Sequence, residues 1–155
     1  MAITKAQFVD RVASKSGLSR KDAASAVDAV LSSIEESLKQ GEAVMIFAEG
    51  TRSKGGEAQQ ARAGVVFLAQ RTGVPIVPVA ISGTEKVLRS RFPWYWRGRI
   101  QMTFGKPFYL RDLGEPTHHN RDQLAHAVMA RVAALLPPAY QGIYAHQRKV
   151  EEAEA

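Results

Sequence analysis

Phe47-Ala48-Glu49-Gly50-Thr51-Arg52-Ser53, followed by Val74-Pro75-Ile76-Val77-Pro78-Val79-Ala80-Ile81, decides how this chain is read. The first segment closes an apolar run, residues 43–47, which predicts a buried strand. The turn after it presents a carboxylate, a glycine, two hydroxyls and an arginine. A guanidinium held at the end of a strand suits a phosphate, because its planar fork makes paired hydrogen bonds. The second segment predicts another buried strand over residues 76–81. Pro75 and Pro78 place it at an edge or a bulge, since proline cannot donate to a ladder.

Outward from these segments the periodicity changes. Residues 1–41 read as two helices. Thr4 caps the first, with Gln7 at capping-box spacing, and Ser16-Gly17 breaks it. Ser19 caps the second, whose stripe is Ala23, Val27, Val30, Leu31, Ile34 and Leu38, and Gly41 stops it. Beyond the turn, residues 58–71 predict a helix. Ile100, Met102 and Phe104 alternate with polar residues and predict a third strand. Asn120 is placed to cap a last helix, with Leu124, Val128, Val132 and Leu135 on one face and Pro137-Pro138 ending it. The expected division is a hairpin over residues 1–41, an α/β part over 42–145 and a polar tail over 146–155.

Composition narrows the chemistry. The chain has 155 residues, 45% of them hydrophobic, and no cysteine, which excludes disulfides and thiolate chemistry and fits a cytoplasmic setting. No run of about 18 apolar residues is present, so no membrane span is expected, and the charged N-terminus does not read as a signal peptide. The net charge of +6 is uneven. Residues 1–41 net +1 and residues 42–155 net +5. Residues 86–111 hold seven bases and no acid, interleaved with Phe92, Trp94, Tyr95 and Trp96. Arg89, Arg91, Trp94, Trp96, Arg97 and Arg99 are therefore expected to meet an anionic membrane surface or another anion. The plainer alternative is a solvated loop with some rings in the core.

The two opening segments resemble those of the glycerolipid acyltransferases, in particular the 1-acyl-glycerol-3-phosphate acyltransferases. Arg62-Ala63-Gly64 and residues 98–108 extend the resemblance to about Tyr144. It implies an incomplete mixed α/β sheet of that type. It also implies that Glu49, Gly50, Thr51, Arg52 and Ser53 bind the acceptor phosphate, supported by Arg62, Pro75 and Pro78. Ala48 stands where that family has proline. Residues 1–41, by contrast, resemble the helical hairpin of the bacterial histone-like HU family, on Thr4, Gln7, Phe8, Ser16-Gly17-Leu18-Ser19 and the register to Gly41. The chain thus reads as an α-helical hairpin of HU type joined to the back half of an acyltransferase.

The acyltransferase resemblance implies a catalytic His-x-x-x-x-Asp upstream, and none is present. Neither His118, His119, His126 nor His146 has aspartate five positions on. The expectation is accordingly no catalytic residue and no turnover by this chain alone. No metal-ligand spacing is recognisable, and no resident cofactor is expected; acyl-CoA or an acyl-carrier protein would be the co-substrate. Expected partners are an anionic membrane, on the inner face of the cytoplasmic membrane, and a lysophosphatidate-type lipid. Weak nonspecific DNA binding and a homodimer through the N-terminal helices are implied by the HU-like part. The alternatives are an HU-like DNA-binding or dimerisation protein, and a non-functional composite.

Overall fold

The computed structural model describes residues 4–51, 53, 55–85, 99–117 and 119–145. The chain divides into two compact units, Met1–Val44 and Met45–Ala155.

The first unit is a helical hairpin, α1 (Lys5–Ser16) and α2 (Arg20–Lys39). The Thr4 hydroxyl accepts from the Gln7 amide at 3.3 Å, and the Gln7 carbonyl oxygen accepts from the Thr4 amide at 3.0 Å, completing the predicted capping box. Gly17 takes the left-handed conformation that ends α1, with φ 71°. Ser19 caps α2 by accepting from the Asp22 amide. Among the described residues, Val9, Ala23 and Val27 are buried between the helices, packed by Val12, Ala13 and Ala24. Phe8, Leu18, Val30 and Leu31 stay exposed. The ion pairs Lys5–Asp28 and Arg20–Asp10 lie on the surface, where such pairs contribute little.

Among its described residues the second unit has helices α3 (Gly64–Thr72) and α4 (Arg121–Ala133) and one antiparallel pair, β1 (Val79–Ser82) and β2 (Gln101–Phe104). With the hairpin, the chain is a mixed α/β protein that begins with a helical region. The register pairs Val79 with Phe104 and Ser82 with Gln101. Ala80 and Ser82 face inward. They meet a core of Val66, Phe108, Leu124, Ala125, Val128, Met129, Leu136 and others, gathered by α3 and α4. Burying the Val66 and Val128 side chains stabilises this core by about 1.5–3 kcal/mol each.

Proline sets where β1 begins. Ile76 makes an isolated antiparallel bridge with Phe108, and the buried Pro78 interrupts the ladder because it has no N–H. Its carbonyl still accepts from the Gly105 amide at 2.9 Å. The expected strand over residues 76–81 is therefore a bridge, a break and then a ladder.

Three expectations are corrected. Residues 43–47 form no strand: Met45, Ile46 and Phe47 are exposed, at 68%, 41% and 70%. Apolar content alone makes no strand; a ladder partner is needed, and β1 and β2 pair with each other. The helix expected from residue 58 begins at Gly64. The Arg62 amide, which would close the first helical turn on the Ala58 carbonyl, donates to the Ala48 carbonyl instead. Asn120 precedes α4 as expected, but its side chain makes no cap bond. It braces the preceding turn instead, accepting from the Thr117 amide and donating to the Glu115 carbonyl.

Candidate functional site

The turn that carries the expected phosphate-binding residues is built by backbone bonds to the segment after it. The Gly50 amide donates to the Phe47 carbonyl at 3.0 Å, and the Arg62 amide donates to the Ala48 carbonyl at 2.7 Å. Gly50 sits at φ 65°, a conformation in which a side chain is strained, and a Cβ there would stand 3.3 Å from Cγ of Arg62. Arg62, an expected supporting residue, thus lies beside the turn and is exposed.

Glu49 is half-buried and its Oε1 accepts from the Gln59 amide at 3.2 Å. Its geometry is that of a fastener for the loop. The Ser53 hydroxyl accepts from the Gly56 amide at 2.9 Å, which leaves its own proton to donate. Thr51 is exposed. Arg52 lies outside the described residues, as do Arg89, Arg91, Trp94, Trp96, Arg97 and His118. Arg99 is described and exposed. Pro75 and Pro78, the other expected supporting residues, shape the approach to β1.

The C-terminal part closes the site from the other side. Two short 3-10 turns, Pro138–Tyr140 and Gly142–Tyr144, lie against residues 58–61. The Ala58 amide donates to the Tyr140 carbonyl at 2.8 Å, and the Ala61 amide donates to the Tyr144 hydroxyl at 3.2 Å. Tyr144 is 3% exposed, and its hydroxyl also stands 3.0 Å from Nδ1 of His126. The Tyr140 hydroxyl donates to Glu85 at 2.7 Å. Turn and C-terminal turns line one cleft of about 920 Å³, with Thr51, Ser53 and Gln60 among its polar residues and Pro138, Ala139 and Ile143 among its apolar ones.

Both tyrosines hold their protons more tightly than usual. Burial is the main cause that raises Tyr144 above the ordinary 10.0, and the Glu49 charge adds to it against the lowering effect of the Ala61 amide. For Tyr140 the hydrogen bond to Glu85 comes first, then burial and the Glu85 charge. A phenol raised in the folded state stabilises the fold fully below its unfolded value and loses that contribution as pH rises through the folded value. The expected melting temperature is thus level up to about pH 10 and falls above it. Tyr144→Phe, which cannot ionise there, should show a shallower fall in a pH series of thermal melts; an unchanged slope would remove Tyr144 from the account.

Sequence reasoning missed Tyr140, Tyr144, His126 and Gln59. Tyr144 and Ala61 are 83 positions apart, and no spacing signal joins them. Among the described residues, no three His, Asp or Glu side chains gather as a metal site, and no helix is long and apolar enough to cross a membrane.

The acyltransferase family model matches residues 1–82. A chloroplastic 1-acyl-sn-glycerol-3-phosphate acyltransferase of Brassica napus is 37% identical over 93 residues, covering 59% of this chain and 27% of that protein. The 1-acyl-sn-glycerol-3-phosphate acyltransferase of Saccharomyces cerevisiae is 31% identical over 131 residues, covering 80% of this chain and 40% of that protein. DNA-binding protein HU of Thermus thermophilus is 45% identical over 49 residues, covering 32% of this chain and 50% of that protein. The chain therefore spans well under two-thirds of each of these relatives. No solved structure gives a significant match.

Proposed function

This chain belongs to the acyltransferase family, and from that premise we propose that it is an acceptor-binding half of a 1-acyl-sn-glycerol-3-phosphate acyltransferase. Its turn over residues 49–53 holds the phosphate, and it does not turn over alone. The observation that carries this reading is the fastened turn: Gly50 at positive φ, Arg62 beside it, and Ser53 with a proton to donate. Arg52 is assigned the bidentate contact and Glu49 the task of holding the loop for it. Titrating the full chain with glycerol 3-phosphate should shift backbone amide resonances of residues 49–56, and Arg52→Ala should weaken binding about tenfold, the scale of one charge-assisted bond. Shifts elsewhere, or none, would sink the assignment.

The seven bases of residues 86–111 support adsorption of this half to an anionic membrane, each contributing about 1 kcal/mol near the surface. Any DNA binding rests on the same phosphate contacts and is weak and salt-dependent.

One observation favours a second role for the hairpin. Its core of three buried residues is too small for an independent unit of this length. An apolar groove of about 550 Å³ runs over Phe8, Val12, Val27, Val30 and Leu31. The HU relative supports a second copy as the occupant. Sedimentation equilibrium should show a dimer, with Val30→Glu shifting it to monomer by at least about tenfold in dissociation constant. A monomer at all accessible concentrations would overturn the pairing.

A further inference from the structure

Among the described residues β2 has one ladder partner, so its other edge is open. The Gly105 amide bonds the Pro78 carbonyl, which fixes the phase of the ladder. Alternation then turns the main-chain groups of Gln101 and Thr103 toward β1 and those of Met102 and Phe104 toward the open edge. Along that edge Ile100, Met102 and Phe104 are exposed, at 51%, 47% and 66%. An open apolar edge is a template for another strand.

The same chain holds an apolar run that lacks an edge. Residues 43–47 include Val44, Ile46 and Phe47, which favour strands, yet they join no ladder. The Glu42 amide is tied to the Ser37 carbonyl and the Ala48 carbonyl to the Arg62 amide. Between them, the main-chain groups of Val44 and Ile46 have no partner among the described residues.

Charge sets the register between run and edge. Glu42 and Glu49 bracket the run, Arg99 and Lys106 bracket β2, and each pair is seven positions apart. Glu42, Arg99 and Lys106 are exposed and form no ion pair among the described residues. Glu49 spends Oε1 on the Gln59 amide and keeps Oε2. Laid antiparallel, Glu42 meets Lys106 and Glu49 meets Arg99. That register sets Val44 opposite Phe104 and Ile46 opposite Met102, the four residues whose main-chain groups are open. Antiparallel pairing is the more stable per residue, and a β-branched side chain against an aromatic ring is a favourable cross-strand pair.

We propose that two copies of this chain exchange strands, residues 43–47 of each pairing with the open edge of β2 in the other. The first exchange brings the second run and edge together within one complex, so the pair closes on itself. This surface is separate from the phosphate turn and from pairing through the hairpin, and it is the weaker association that remains once the hairpin contact is removed.

The test is sedimentation equilibrium on full chains that all carry Val30→Glu, with circular dichroism to confirm folding. This parent should still dimerise at high concentration. Adding Glu42→Lys, or Lys106→Glu, sets two like-charged contacts in place of two opposite ones and should weaken the dimer about tenfold. Mixing the two variants matches both contacts again and should restore the parent affinity. Hydrogen exchange in the mixture should slow at the Val44, Ile46, Met102 and Phe104 amides. A parent that is monomeric at every concentration, or that runs on past a dimer, overturns the proposal. Failure of mixing to restore affinity also overturns it, and that is the result a parallel register gives. Protection of the Met102 and Phe104 amides only when phosphatidylglycerol vesicles are added assigns the edge to lipid and overturns it too.

Discussion

Alanine in place of Gly142 lowers the melting temperature of the unit containing it by on the order of 15 °C, while Gly64→Ala leaves it nearly unchanged. Gly142 has φ 53°, which costs an alanine about 1 kcal/mol. The added Cβ also overlaps the Ala58 carbonyl, so the backbones must part. Parting them strains the Ala58–Tyr140 and Ala61–Tyr144 hydrogen bonds, each contributing about 1 kcal/mol. The sum, on the order of 3 kcal/mol, is a large share of a typical domain stability of about 5–15 kcal/mol. Gly64 has nothing within 4 Å of its built Cβ and opens α3, so alanine there is harmless. Near-ultraviolet circular dichroism melts of the two variants decide it; similar melts would show that the C-terminal turns do not hold the unit.

Mixed with lysophosphatidate and acyl-CoA, the chain releases no thiol above the uncatalysed rate. A positioned general base contributes about 10²–10⁴-fold, and the described histidines, His119 and His126, are not arranged to supply it. His126 is half-buried and faces the Tyr144 hydroxyl, so its partner is a phenol and not an orienting carboxylate. His119 is exposed. No histidine has the family's aspartate five positions on. Protein-dependent thiol release that disappears in His126→Ala would overturn the prediction and place the base in the Tyr144 pair. Release that persists in that variant would equally overturn it and point to another residue.

The parts of the fold legible in the sequence are those whose causes are local. The hairpin followed from Thr4, Gln7, Gly17 and Ser19, because capping is settled within four residues. β2 followed from strict alternation, and α4 from its apolar stripe. Residues 43–47 misled because a strand is a property of two segments, and hydropathy reads only one. The start of α3 misled because the Arg62 amide, needed to close a turn on Ala58, is taken by the Ala48 carbonyl, and propensity says nothing of where an N–H will go. For the candidate site, the resemblance supplied residues 49–53 as an expectation, and the structure places Arg62 beside Gly50. The opposite wall was not, since its contacts join residues some eighty positions apart.

That separation governs when the site comes into being. The contacts of Ala58 with Tyr140 and of Ala61 with Tyr144 are among the longest loops the chain closes. Loop closure must precede the reward of such contacts. During synthesis, residues 49–62 leave the ribosome long before residues 138–144, and until those arrive four backbone amides have only part of their partners. The wall of the cleft opposite residues 49–53 is thus completed late, and a nascent chain stopped before Pro138 carries the turn without that wall.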